Sequence, residues 1–264
     1  MKDAIKGALR WVALRQPVKG LVIHLVYPAI VAALRDEIQP DTRSPSGLAE
    51  AFAWKAASYS VLSEELCSGT DCGNHDQASQ ERLFSVVAES LAVEGDVLEF
   101  GVGGGHSVRL LACLFPDRRV YGFDSFQGLP ETWWTRPKGA FGVDAPPQVD
   151  LPNVELVEGL FSETVPGFLD GWSRKAALIH VDCDLYASTI ESLGPALRHC
   201  VPGTIITFDE YYNYPEFAGH EWRAWSELSR RYGIEARCIA YDSRRAAFEI
   251  VSIKTPQLAR ASSA

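Results

Sequence analysis

Three stretches of this chain carry side chains that can do chemistry. In KAALIHVDCDLYAST (175–189) an apolar run ends at Asp182 and Asp184. In VPGTIITFDEYYNYP (201–215) another ends at Asp209 and Glu210. If both runs are neighbouring parallel strands, up to four carboxylates share one crevice, where unpaired negative charges repel. A divalent cation relieves that repulsion. Magnesium suits it, because it takes hard oxygen ligands and keeps some water for a substrate hydroxyl to displace. Pairing with Arg, Lys, His or backbone N–H groups is the alternative, and it needs no metal. The third stretch, VLEFGVGGGHS (97–107), runs from a short apolar segment through Glu99 into Gly101, Gly103, Gly104 and Gly105. Glycines at that density let backbone approach a ligand closely. The helix expected from Ser107 onward offers free N–H groups at its start.

The spacing separates the cofactors such a turn could serve. A dinucleotide turn wants G-x-G-x-x-G, but the last of those positions here is His106, whose ring would crowd the helix–strand contact. The pattern that fits is E-x-G-x-G-x-G, counted from Glu99. It resembles motif I of class I S-adenosylmethionine (SAM) methyltransferases, in which the turn passes beneath the amino-acid part of the cofactor. A second acidic residue, Asp124, ends the apolar run in RRVYGFDSFQGLPE (118–131). That is one strand–helix–strand step on, where a ribose-binding carboxylate is expected.

Strands are expected at 97–100, 120–123, 154–157, 177–181 and 204–208. Two more, 234–241 and 246–253, flank the turn signal DSRR (242–245). Alternating strand and helix imply a parallel sheet covered on both faces, with ligands beyond the carboxyl ends of the strands. The fold class expected is thus α/β and Rossmann-like: a seven-stranded, mostly parallel sheet with a final antiparallel hairpin at its edge. An N-terminal helical extension would occupy residues 1–80, the SAM-binding domain 81–256 and a frayed tail 257–264. Residues 48–66 and 80–93 read as helices and 68–76 as a loop. The irregular segment 132–150, with Trp133 and Trp134, follows the second strand on the ligand side. It reads either as a binding loop with an apolar, sugar-stacking wall or as a cap on the core.

The 264 residues bear a net charge of −9, which argues against nucleic acid as the main partner. The six cysteines form no C-x-x-C pair, so reduced thiols in a cytoplasmic protein are expected. The apolar stretch 20–34 is shorter than a bilayer span and holds His24 and Pro28. A core-packing or self-association helix is expected there rather than stable membrane insertion.

GFDSFQGLPE, VEGLFSETVP (157–166), HVDCDLYASTIESLGPAL (180–197) and PGTIITFDE together resemble the macrocin O-methyltransferase family. That family holds SAM- and magnesium-dependent enzymes that methylate sugar hydroxyls of natural products. The resemblance covers roughly residues 83–230, and D-x-D-L-Y-x-S-T is its most specific part. It implies that Asp182, Asp209 and Glu210 ligate magnesium, with Asp182 also placed to act as base; His220, just after the second acidic strand end in a stretch read as a substrate loop, is the second candidate base by its position. The resemblance implies a SAM site made by Glu99, Gly101, Gly103, Gly105, Ser107, Asp124, Ser125, Glu158 and Asp182. The chain departs from the family pattern where two aspartates usually end the fifth strand, since Glu210 replaces the second. It departs again in 211–225, which brings His220, Glu221 and several tyrosines. The function expected is methyl transfer from SAM to a hydroxyl of a small, possibly glycosylated molecule. The alternatives are a metal-independent methyltransferase, an NAD(P)-linked sugar-nucleotide oxidoreductase, and a SAM-binding module without catalysis.

Overall fold

The computed structural model of the chain describes residues 45–254. It divides into two compact units, Met1–Ala56 and Ala57–Ala264. Of the first, the described part is helical: α1 runs Pro45–Val61, and its last residues belong to the second unit. The N-terminal segment through which self-association is expected, and the tail 257–264, lie outside the described residues.

In the second unit a single π-helical turn, Leu62–Leu66, precedes β1 (Thr70–Asp71). Helix α2 (Gln77–Ser90) starts three residues earlier than its apolar spacing indicates, because Asp76 caps it. The Asp76 carboxylate accepts from Ser79 N, and the Ser79 hydroxyl accepts from Asp76 N. The elements that follow are β2 (Asp96–Phe100), α3 (His106–Leu114), β3 (Val120–Asp124), β4 (Val154–Glu158), α4 (Phe161–Gly171), β5 (Ala176–Val181), α5 (Tyr186–Ala196), β6 (Ile205–Phe208), α6 (Glu221–Tyr232), β7 (Glu235–Tyr241) and β8 (Ala246–Ser252).

The sheet has eight strands in the order β1-β7-β8-β6-β5-β2-β3-β4, one more than expected. The extra strand is β1, which pairs in parallel with β7 inside the stretch read as a loop. Two residues are too few to show a strand period, so nothing in 68–76 announces it. The sheet-bearing unit therefore takes in residues 57–80, which the sequence reading assigned to the N-terminal extension. The terminal hairpin is real, but β8 inserts between β6 and β7 and is antiparallel to both.

The central strands β2, β5 and β6 are buried along their whole length, as strands covered on both faces must be. Alternate residues serve opposite layers. Leu98, Phe100, Ile179 and Ile206 pack with Leu169, Leu193, Trp225 and Leu228 of α4, α5 and α6. Val97, Leu178 and Ile205 pack with Leu83, Phe84, Val108 and Leu111 of α2 and α3. The chain leaves β2 toward β3 on one side and β5 toward β6 on the other. The crevice at that reversal is where α/β sheets hold ligands. Among the described residues no helix is long and apolar enough to cross a membrane.

Candidate active site

A cavity of about 890 Å³ opens at the carboxyl ends of these strands. The glycine turn forms one wall. Gly101, Gly103 and Gly105 have φ of +94°, +49° and +79°, the left-handed half of the map that other residues avoid. A Cβ on Gly101 would fall onto the carbonyl oxygen of Asp182, because the ends of β2 and β5 are in backbone contact there. A Cβ on Gly103 would meet nothing within 4 Å. Of the expected cofactor residues, Gly101, Gly103, Ser107, Asp124, Ser125 and Asp182 line the cavity.

Asp124 is tied to the turn it faces. Its Oδ2 accepts from Val102 N and Gly103 N at 2.8 Å each, and its Oδ1 from Phe126 N at 2.7 Å. Arg109 pins the same turn from outside. Its guanidinium donates to Gly104 O and Gly105 O and, at 2.6 Å, to Gln148 O of the long loop. Glu158 is exposed and outside the lining. The segment after it, Gly159 to Ser162, faces the cavity instead.

Glu99 also stands behind the wall, fully buried, and accepts from Ser107 Oγ at 2.5 Å while its Oε2 has no partner. Burial, offset by the Ser107 bond and reinforced by Asp124 and Asp209, raises its pKa from 4.5 to about 8. The folded state thus holds this proton more tightly than the unfolded chain. Stability should fall as pH rises from about 4.5 to about 8 and then level off. Glu99→Gln should remove that slope, so melting curves of the two proteins should diverge in the variant's favour from pH 5 to pH 8.5. Curves that stay parallel would show Glu99 ionised throughout.

The second wall carries the acidic residues. Asp182 follows β5 directly, with its side chain one-third exposed to the cavity. Burial in the crevice, then the charges of Asp209 and Asp184, push it well above the usual carboxylate range. The His180 Nε2 lies 4.0 Å from its Oδ2. That imidazole is buried, bonded through Nδ1 to Thr207 Oγ1 at 2.9 Å, and held neutral by burial, which lowers its pKa to about 4.

Asp209 and Glu210 have internal cations that sequence reasoning missed. Asp209 accepts from Arg245 Nε at 2.5 Å and from Gln80 Nε2 at 3.2 Å. Glu210 lies 3.3 Å from His75 Nε2 and 3.4 Å from Arg244 Nη1. Burial opposes charge on His75, but the carboxylates of Asp242 and Glu210 beside it prevail and raise it to about 9. The signals for this network were the D-x-x-S cap, which ends the His75 segment, and DSRR. In that turn Asp242 Oδ1 accepts from the backbone N–H of Arg244 and Arg245, aiming both arginines at the site.

His220 is half-buried, lowered in pKa by burial, and not among the lining residues. Its neighbour Glu221 is fully buried and touches both acid-bearing segments. Trp133 is buried, lines the cavity and packs edge-on against Tyr214 at 5.5 Å, whereas Trp134 is outside the lining. All six cysteines are unpaired.

The sheet order, the glycine turn and the placement of the cavity define the class I methyltransferase fold. Residues 98–211 match the family model described as a methyltransferase domain. Over 167 residues the chain is 31% identical to 8-demethyl-8-(2,3-dimethoxy-alpha-L-rhamnosyl)-tetracenomycin-C 4'-O-methyltransferase of Streptomyces olivaceus, covering 54% of this chain. The matched part spans 60% of that relative's length. Among solved structures it is similar to CalS11, a calicheamicin methyltransferase, with a TM-score of 0.51 and 25% identity over 65% of this chain and 77% of that one. It is also similar to the O-methyltransferase NovP, with a TM-score of 0.51 and 22% identity over 66% of this chain and 81% of that one. The resemblance to O-methyltransferases read from the motifs agrees with these relatives, and the Streptomyces olivaceus protein is named for a rhamnosyl-bearing compound.

Proposed function

We propose that the chain is a SAM-dependent O-methyltransferase acting on a hydroxyl of a sugar or other secondary metabolite. One observation carries the reading: the glycine turn with Asp124 and the carboxylate-bearing ends of β5 and β6 face the same cavity. A cofactor held at the first would present its methyl group toward an acceptor held at the second. The relative from Streptomyces olivaceus, named for methylation of a rhamnosyl-bearing compound, supports a glycosylated acceptor.

Methyl transfer from a sulfonium to a hydroxyl is an in-line displacement that leaves one proton to be removed. Asp182 is placed for that task, since its carboxylate reaches the cavity from the end of β5. The neutral His180, 4.0 Å away, buried and bonded to Thr207, does not reach an acceptor.

Magnesium fits the donor chemistry. Burial and the neighbouring acids raise Asp182, Asp184 and Glu221, and their ionisation calls for a further cation, since His75, Arg244 and Arg245 already face Asp209, Glu210 and Asp242. Asp182 and Asp209, with Glu210 beside them, would hold the ion. Bound there, magnesium would lower the pKa of an acceptor hydroxyl. A metal-independent reading also has an observation behind it. Among the described residues, the trios that bring ligand atoms within 4.8 Å of one another are His75, Asp209, Glu210 and His180, Asp182, Asp209, and Asp209 is already paired with Arg245.

Calorimetry separates these readings. SAM should bind the wild type, whereas NAD and NADP should not. Gly103→Phe, which projects a side chain into the cavity, should abolish SAM binding while the protein still melts cooperatively. Normal SAM binding by that variant would remove the site from the turn. Turnover that survives full demetallation would select the metal-independent form.

A further inference from the structure

Asp184 sits in a strained turn. Its φ is +61°, and Leu185 N donates to Cys183 O at 2.6 Å, so the three residues close a γ-turn with a left-handed centre. Non-glycine residues are rarely found there, and such turns persist only where the surroundings over-determine them. The Asp184 carboxylate lines the cavity two residues beyond Asp182. What over-determines the turn is the fully buried carboxylate of Glu221, the first residue of α6. Its Oε1 accepts from Asp184 N at 3.1 Å and its Oε2 from Glu210 N at 3.2 Å. One side chain thus fastens the chain leaving β5 to the chain leaving β6.

We propose that Glu221 is a positioning residue, which sets the separation of the two acid-bearing segments by bonding their backbones while touching neither cofactor nor acceptor. The role rests on the methyl-transfer reading, but the geometry it predicts can be measured without activity. A buried backbone N–H that loses its acceptor is costly, so both segments depend on this one side chain. Small misplacement of reacting groups is costly even when every group is present.

The test is Glu221→Gln, nearly isosteric but able to accept with only one of its two terminal atoms, compared with Glu221→Ala. By hydrogen exchange of the full chain, amides in 182–186 and 208–212 should exchange about ten- to a hundredfold faster in Glu221→Gln, with α2 and β2 unchanged. The turnover number should fall by a similar factor, with SAM affinity within about twofold of wild type. Unchanged exchange in those segments would overturn the proposal whatever the activity. So would a Gln variant that fails to fold, which would make Glu221 a stability residue. If the exchange changes as expected but the wild type methylates no hydroxyl acceptor, the methyl-transfer reading falls and the clamp stands.

Discussion

Gly101→Ala is expected to cost the chain both stability at the centre of the sheet and its affinity for SAM. The added methyl has nowhere to go, since it would lie on the Asp182 carbonyl and Asp182 N is itself bonded to Phe100 O at 2.8 Å. Overpacking costs roughly 1–3 kcal/mol and a left-handed backbone roughly 1–2 kcal/mol more. Against a domain stability of about 5–15 kcal/mol this is large. A melting temperature lower by roughly 5–15 °C is expected for a unit of this size. Gly103→Ala is the control. It carries the backbone strain alone, because its Cβ meets no neighbour, and it should lose only a few degrees. Equal melting temperatures for the two variants would show that β2 and β5 are not in the contact described.

Asp182→Asn is expected to lower turnover by about 10²–10⁴-fold, the usual worth of a positioned base. The amide keeps the shape of the side chain but cannot take a proton. SAM binding should change little, since Gly101, Gly103 and Asp124 are untouched. His220→Ala should leave turnover within a few-fold of wild type, because His220 does not line the cavity. Steady-state rates with a glycosylated acceptor decide between them. A normal rate for Asp182→Asn and a collapsed one for His220→Ala would move the proton acceptor to His220.

The parts of the site legible in the sequence share one property: each lies within a few residues of a strand end. Apolar runs such as 177–181 and 204–208 reveal buried strands, and whatever follows them must emerge at the ligand side. Asp182, Asp209 and the glycine turn could be placed for that reason. Gln80, Glu221 and Arg245 could not. They arrive from α2, α6 and the β7–β8 turn, and only the sheet order brings them to Asp209 and Glu210. Glu99 and Glu158 show the opposite limit. Strand alternation decides whether an acidic residue faces a cavity, a core or solvent, and one position's difference sends it behind the wall or outside it.

The reversal between β7 and β8 also makes the site's electrical balance a matter of strand register. β3, β5 and β6 deliver acids to the cavity at their carboxyl ends: Asp124, then Asp182 with Asp184, then Asp209 with Glu210. The hairpin brings Asp242, Arg244 and Arg245 by turning the chain around. Since a sheet repeats every two residues, a chain one residue shorter in this turn would exchange the two faces of β8. It would swing Arg245 away from Asp209 and send Phe248 out of the core. Turn length here is therefore a charge setting: it decides whether the acids at the ends of β5 and β6 meet their arginines.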